Sequence, residues 1–144
     1  MSVVSIKNVS KTYGTNSRIA VKAVSNIDLE IRAGEVVLIM GPSGSGKTTL
    51  LSMIGTLLTP SEGQIEIEGK NIVGMKSNEL AALRLKHYGF IFQSSNLLSA
   101  LTAQQNVILP LTAAGVDHKQ AVRTARRLLE QFHLCIMIRR PPRN

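Results

Sequence analysis

Residues 41–49 read Gly-Pro-Ser-Gly-Ser-Gly-Lys-Thr-Thr, and no other stretch of the chain limits its fold as sharply. The spacing is G-x-x-x-x-G-K-[ST], with the lysine at Lys47 and the hydroxyl at Thr48. Gly41, Gly44 and Gly46 let the backbone turn tightly and approach an anion closely, so that successive N–H groups form a concave nest. Pro42, Ser43 and Ser45 fill the remaining loop positions. Lys47, Thr48 and Thr49 then open a helix whose first N–H groups lack intrahelical acceptors and whose dipole is positive at that end. Lys47 adds a point charge for the β and γ phosphates, and Thr48 offers a hydroxyl to Mg²⁺. Together these residues read as a cradle for a nucleoside triphosphate.

The flanks agree with that reading. Val36 to Met40 is an uninterrupted apolar run, as a buried parallel strand reads. Leu50, Leu51, Ile54, Leu57 and Leu58 recur at helical spacing on the other side. Strand, loop and helix in that order predict an α/β fold with a parallel sheet. A chain of 144 residues can bury a core but is short for a sheet built of several crossovers. The net charge is +8, from 17 Lys and Arg against 9 Asp and Glu, which suits nucleic acid, anionic lipid or a phosphate-rich ligand. Arg139, Arg140 and Arg143 crowd the end of the chain, so the body is less basic than the total and a nucleic-acid patch is disfavoured. Cys135 is the single cysteine, which excludes a disulfide framework and a Cys/His metal site. No segment approaches the roughly 18 consecutive apolar residues of a membrane span, and the start lacks a signal-peptide pattern, so a soluble cytoplasmic chain is expected.

Taken in order, Val4, Ile6 and Val9 predict a strand that ends at Tyr13. Ile27, Leu29 and Ile31 alternate with Asp28, Glu30 and Arg32, a half-exposed strand that turns at Ala33-Gly34, and the N-terminal part is expected to be antiparallel. Thr59 to Gly63 is a turn cluster, and Gln64 to Glu68 forms a strand around Ile65 and Ile67 that ends at Gly69. Ser77 is expected to cap a short helix carrying Leu80 and Leu83, and Gly89 to Phe92 forms a strand ending at Gln93. Thr102 with Gln105 predicts a capping box for a second helix, interrupted by Pro110 and closed near Gly115. Asp117 with Gln120 caps a third, in which Ala121, Val122, Ala125, Leu128, Leu129 and Phe132 form one stripe. Arg123, Arg126, Arg127 and Glu130 face away from that stripe as a solvated surface.

With these elements laid out, the chain resembles the nucleotide-binding subunits of ABC transporters. Lys11-Thr12-Tyr13-Gly14 is similar to the family's A-loop, Gly41 to Thr49 to its Walker A loop, Thr59 to Gly69 to its Pro-x-x-Gly turn and strand, and Gly89 to Gln93 to its Q-loop, all in the family's order. Phe92 to Leu98 and Asn106 to Leu111 resemble the subgroup serving lipoprotein release and macrolide export. The resemblance implies a P-loop NTPase of ABC type: an N-terminal antiparallel β part, an incomplete parallel core sheet and part of the helical subdomain. It implies ATP and Mg²⁺ as ligands, with Tyr13 stacked on adenine and with Gln93 reaching the Mg²⁺ and attacking water in a supporting catalytic role. It implies a membrane-spanning permease as partner, met by the segment after Gln93, with Leu97, Leu98 and Leu101 either docking there or packing in a core. It also implies a second nucleotide-binding subunit in a homodimer and a location at the inner face of the membrane.

Residues 1–134 are read as a partial ABC nucleotide-binding domain and 135–144 as an atypical tail, without helical or strand period, for which a frameshift or a disordered end is the expectation. The family's Leu-Ser-Gly-Gly-Gln signature, its Walker B strand with Asp-Glu and its switch histidine do not occur, and His133 stands in the wrong place for the last. The general-base glutamate is therefore missing, and the chain alone is expected to be inactive in hydrolysis. Two other readings stay open on the residues: an ABC-type ATPase acting on nucleic acid, and a non-hydrolysing nucleotide-binding module.

Overall fold

The structure, a computed structural model, describes residues 2–14, 20–94 and 96–134. The chain divides into two compact units, Met1–Arg84 and Leu85–Asn144. The first is built on a four-stranded antiparallel sheet in the order β2-β1-β3-β4, with β1 at Ser2–Tyr13, β2 at Val21–Arg32, β3 at Glu62–Ile67 and β4 at Lys70–Asn71. Val4 and Ile6 point into the core from β1, pairing with Ile31 and Leu29 on one side and with Ile67 and Ile65 on the other. The next buried apolar residue is Val9 rather than residue 8, because Asn8 takes a positive φ of 52° at a bulge that shifts the side-chain phase. The strand extends to Tyr13, as its sequence predicts.

A buried hydroxyl secures the far end of that pairing: Ser10 Oγ donates to Asn26 Oδ1 at 2.9 Å and accepts from Asn26 N–H at 3.0 Å. Glu68 and Gly69, with φ of 48° and 77°, form a tight two-residue turn between β3 and β4, so Gly69 ends the strand as expected. The helix α1, Lys47–Ile54, packs against β2 and buries Leu50 and Met53. Each fully buried side chain of that kind is worth about 1.5–3 kcal/mol relative to exposure.

The helix is shorter than its apolar spacing predicts. Thr56 turns into the left-handed region at φ 58°, and Leu57 and Leu58 follow outside the helix, both donating to Ser52 O. The larger correction concerns Val36 to Met40, which is not a strand: no described strand pairs with it, and Val36 and Met40 are 99% and 80% exposed. An apolar run becomes a buried strand only if neighbours accept its hydrogen bonds and cover both faces. Among the described residues it has none. The same reason leaves Gly89 to Phe92 outside any strand, with Ile91 fully exposed and Tyr88, Phe90 and Phe92 stacked in series at centroid distances of 5.8 and 5.6 Å. The incomplete parallel sheet thus contributes its loop and helix here but not its paired strands.

The helix α2, Ser77–His87, follows the sheet. Its first turn is closed by Glu79, whose carboxylate accepts from Lys76 N–H at 2.8 Å, so Lys76 rather than Ser77 takes the capping place. Arg84 donates to Thr56 O at 2.8 Å and ties the helix to the exit of α1. In the second unit, α3 (Ala103–Ala113) and α4 (His118–Gln131) pack together. Thr102 and Gln105 form the expected capping box, at 2.8 and 3.2 Å. Pro110 does not interrupt α3, which runs through it and closes at Gly115, φ 82°. Asp117 caps α4 by accepting from Gln120 N–H at 3.2 Å, and Ala121, Ala125 and Leu129 are buried as predicted. Phe132 lies past the helix end and is exposed, off the stripe assigned to it. Arg123, Arg126 and Arg127 are exposed, and Arg126 pairs with Glu130 at 2.9 Å. The tail 135–144 lies outside the described residues.

Candidate phosphate site

The loop before α1 is a turn closed by Ser45 N–H donating to Pro42 O at 3.3 Å. Gly44 has φ 79° and Gly46 has φ 86°, and Gly46 is the N-cap of α1. Gly46 is pressed against β2: a Cβ there would lie 2.3 Å from the carbonyl oxygen of Ala23. This is a position where only glycine fits, for conformational and steric reasons at once.

Helices commonly receive a side-chain acceptor at the N-cap and acidic residues in the first turn. The helix α1 has neither: Gly46 makes no side-chain cap, and the first turn carries no acid. Its unpaired N–H groups and positive dipole end are therefore left for an acceptor from outside the chain. Lys47 supplies the cation. Its Nζ donates to Gly41 O at 2.8 Å and to Pro42 O at 2.7 Å, so the side chain curls back over the loop. Ser43, Gly44 and Thr48 are exposed and Thr49 is half-buried. A cleft of about 350 Å³ adjoins the loop, lined by Val24, Ile27, Met40, Gly41, Lys47 and Leu50 among others. Its apolar walls do not suit phosphate, so an anion would be better accommodated on the N–H side of the loop.

Tyr13 stands at the end of β1, exposed, opposite Val21 in the register of β1 with β2. Ala23, the residue against which Gly46 rests, is two positions further along β2, a step of about 7 Å along a strand. One end of β2 thus carries both the partner of the aromatic ring and the wall of the phosphate loop. Gln93 lies exposed in the second unit, with Leu97 and Leu98 exposed and Leu101 half-buried. The side chain of Asn106 holds this segment, accepting from Leu98 N–H at 2.9 Å and donating to Leu98 O, Leu101 O and Thr102 O.

Sequence reasoning missed three contributors. The Ala23 carbonyl has no sequence signal, since it acts through the backbone. Lys11 lies with its ammonium 5.5 Å from the Tyr13 ring centroid, and its i, i+2 spacing on a strand is a signal that was available. Ser61, which bonds both backbone groups of Thr12, comes from a distant turn. Among the described residues no group of three or more His, Cys, Asp or Glu could hold a metal ion, and no helix is long and apolar enough to cross a membrane.

Residues 24–143 match the family model described as ABC transporter. The chain is 44% identical over 128 residues to the lipoprotein-releasing system ATP-binding protein LolD of Bacteroides fragilis, covering 89% of this chain and 57% of that protein. It is 41% identical over 134 residues to the macrolide export ATP-binding/permease protein MacB of Aggregatibacter actinomycetemcomitans, covering 93% of this chain and 21% of that one. The bacitracin export ATP-binding protein BceA of Halalkalibacterium halodurans is 43% identical over 121 residues, covering 84% of this chain and 47% of BceA. A solved dimeric structure of the ATP-binding cassette MJ0796, in a post-hydrolysis state bound to ADP and Pi, superimposes with a TM-score of 0.86 at 37% identity, over 96% of this chain and 61% of that chain. The chain thus spans roughly half the length of the ATP-binding proteins it matches.

Proposed function

Because the chain belongs to the ABC transporter family, we propose that it is part of the ATP-binding, energy-coupling subunit of a membrane exporter. The observation that carries this is the uncapped N-terminus of α1 behind Gly46, with Lys47 folded over the loop. A triphosphate placed there accepts from the loop and first-turn N–H groups of 41–49. The Lys47 ammonium exchanges two neutral carbonyls for phosphate oxygens, and charge-assisted bonds of that kind are about twice as strong as neutral ones. The two carbonyl contacts hold the ammonium beside the loop beforehand, so little side-chain freedom is lost on binding.

Thr48 offers the hydroxyl that would hold Mg²⁺; bound there, the cation neutralises phosphate charge. That donor is an uncharged oxygen. It fits a cation held chiefly by phosphates, as Mg²⁺ commonly is. Tyr13 presents an aromatic face for adenine. No described residue is assigned the general base, so hydrolysis is placed in the complete domain.

The segment after Gln93, with Leu97 and Leu98 exposed, is assigned to a permease partner, and a second nucleotide-binding subunit to the other side of the nucleotide. The protein would then work at the cytoplasmic face of the membrane. The relatives that carry the exporter reading are a lipoprotein-releasing, a macrolide-export and a bacitracin-export protein. The test is calorimetric titration of the chain with MgATP and with tripolyphosphate. Lys47→Ala removes bonds to charged oxygens worth about 1.5–3 kcal/mol, a loss of roughly ten- to a hundredfold in affinity for both ligands. Lys47→Arg is also expected to fail, since a planar fork does not replace a point charge. Unchanged binding in both variants would remove the phosphate site from this loop.

A further inference from the structure

Two side chains converge on the strand end that carries Tyr13. Lys11 lies on the same strand, with Nζ 5.5 Å from the Tyr13 ring centroid, inside the roughly 6 Å over which a cation is attracted to an aromatic face. The same ammonium donates to the carbonyl of Thr59 at 2.7 Å, so its place over the ring is fixed from a second direction. Ser61, two residues on, is bonded to the strand as well. Its N–H donates to Ser10 O at 2.9 Å, and its hydroxyl accepts from Thr12 N–H at 3.1 Å and donates to Thr12 O at 3.3 Å.

The turn 59–61 therefore grips residues 10, 11 and 12 in succession, immediately before the ring. That turn is the continuation of the chain leaving α1, the helix that the phosphate loop opens. Backbone and side-chain bonds thus connect the exit of the phosphate-binding helix to the residue expected to meet the base.

We propose that Lys11 and Ser61 are positioning residues for the nucleobase. Lys11 covers one face of Tyr13, which leaves the opposite face as the single stacking surface for a flat aromatic ring. Ser61 holds the end of β1 at a fixed station relative to the phosphate loop. The ligand class is a nucleoside triphosphate, whose base and phosphates must reach the two places together. The inference rests on the reading of Tyr13 as the base platform and of 41–49 as the phosphate cradle.

The experiment compares MgATP with tripolyphosphate, which has the phosphates and no base, on the parent chain and on Lys11→Met, Lys11→Arg and Ser61→Ala. The parent is expected to bind ATP more tightly than tripolyphosphate by roughly five- to a hundredfold, the range of base–aromatic stacking. Lys11→Met is expected to lose roughly two- to fivefold for ATP, the range of an exposed cation–π contact, with tripolyphosphate affinity unchanged. Lys11→Arg keeps a cation and donors and is expected to retain the ATP preference. Ser61→Ala lowers ATP affinity selectively in the same way. Equal losses for both ligands in Lys11→Met would mean that the ammonium serves the phosphates and would overturn the proposal, as would an unchanged ATP preference in Lys11→Met and Ser61→Ala. A parent that binds tripolyphosphate but prefers ATP no more strongly refutes the platform while leaving the phosphate cradle standing. A parent that binds neither ligand refutes both.

Discussion

Replacing Gly46 by alanine tests the step on which the site depends, the seating of the loop against β2. The added Cβ would lie 2.3 Å from the Ala23 carbonyl oxygen and 3.1 Å from Val24 Cγ2. The closest ordinary carbon–oxygen contacts are about 3.3 Å, so the loop or strand must retreat by about 1 Å. Neither is the free end of a flexible side chain, and displacement of packed structure costs about 1–3 kcal/mol. The φ of 86° adds about 1–2 kcal/mol for any residue with a Cβ. The sum is about 2–5 kcal/mol, a large share of a typical domain stability of about 5–15 kcal/mol. Gly44→Ala separates the two terms, because Gly44 has φ 79° but nothing within 4 Å of the added carbon, leaving only the conformational part. Gly63→Ala controls for location: its Cβ would lie 2.3 Å from Asn8 O, at φ 89°, in the sheet away from the loop. Urea unfolding followed by far-ultraviolet circular dichroism should place Gly46→Ala and Gly63→Ala well below Gly44→Ala. A 2 kcal/mol gap corresponds to about 1 M urea for a small domain. Tripolyphosphate binding to the folded fraction should be lost in Gly46→Ala and kept in Gly63→Ala. Indistinguishable midpoints for Gly46→Ala and Gly44→Ala would show that the Ala23 carbonyl does not constrain the loop.

Asn106→Ala removes the hydrogen bonds to Leu98, Leu101 and Thr102, which at roughly 0.5–1.5 kcal/mol net each should loosen the segment before α3 by about 2 kcal/mol. Amide exchange at Leu98 should accelerate roughly thirtyfold, and an unchanged rate would assign the segment's order to something other than Asn106. Leu38 is 76% exposed within an apolar run, so the chain should self-associate as concentration rises and Leu38→Lys should reduce that in sedimentation velocity. Its urea midpoint should stay within about 0.5 kcal/mol of the parent, as for other surface changes; a loss typical of a core residue would show Leu38 to be covered.

Sequence patterns were most reliable where a local rule and the tertiary environment ask for the same thing. The capping box at Thr102 and Gln105 and the buried stripe of Ala121, Ala125 and Leu129 are read correctly because one turn of backbone decides the first and one helix face the second. The alternation in β2 and β3 holds for the same reason, with Ile65 and Ile67 buried against β1. Val36 to Met40 failed because an apolar run states only that the segment favours burial. Whether it becomes a strand depends on neighbours contributed from elsewhere. Pro110 failed differently: it can occupy a helix interior when the loss of one backbone hydrogen bond is tolerated locally, which no pattern in the residues around it discloses.

For the candidate site, the residues 41–49 and their order suffice to raise the reading of a phosphate cradle, because the glycine spacing, the lysine and the uncapped helix start are local properties of one continuous segment. They also suffice to place Tyr13 at a strand end. Tertiary structure alone decided that Gly46 must be glycine on account of the Ala23 carbonyl, that Lys47 rests on the carbonyls of Gly41 and Pro42, and that Lys11 and Ser61 converge on the strand end carrying Tyr13. Those contacts join residues as far apart as Thr12 and Ser61. Side-chain periodicity carries no information about partners at that separation; the register of β1 between β2 and β3 supplies it.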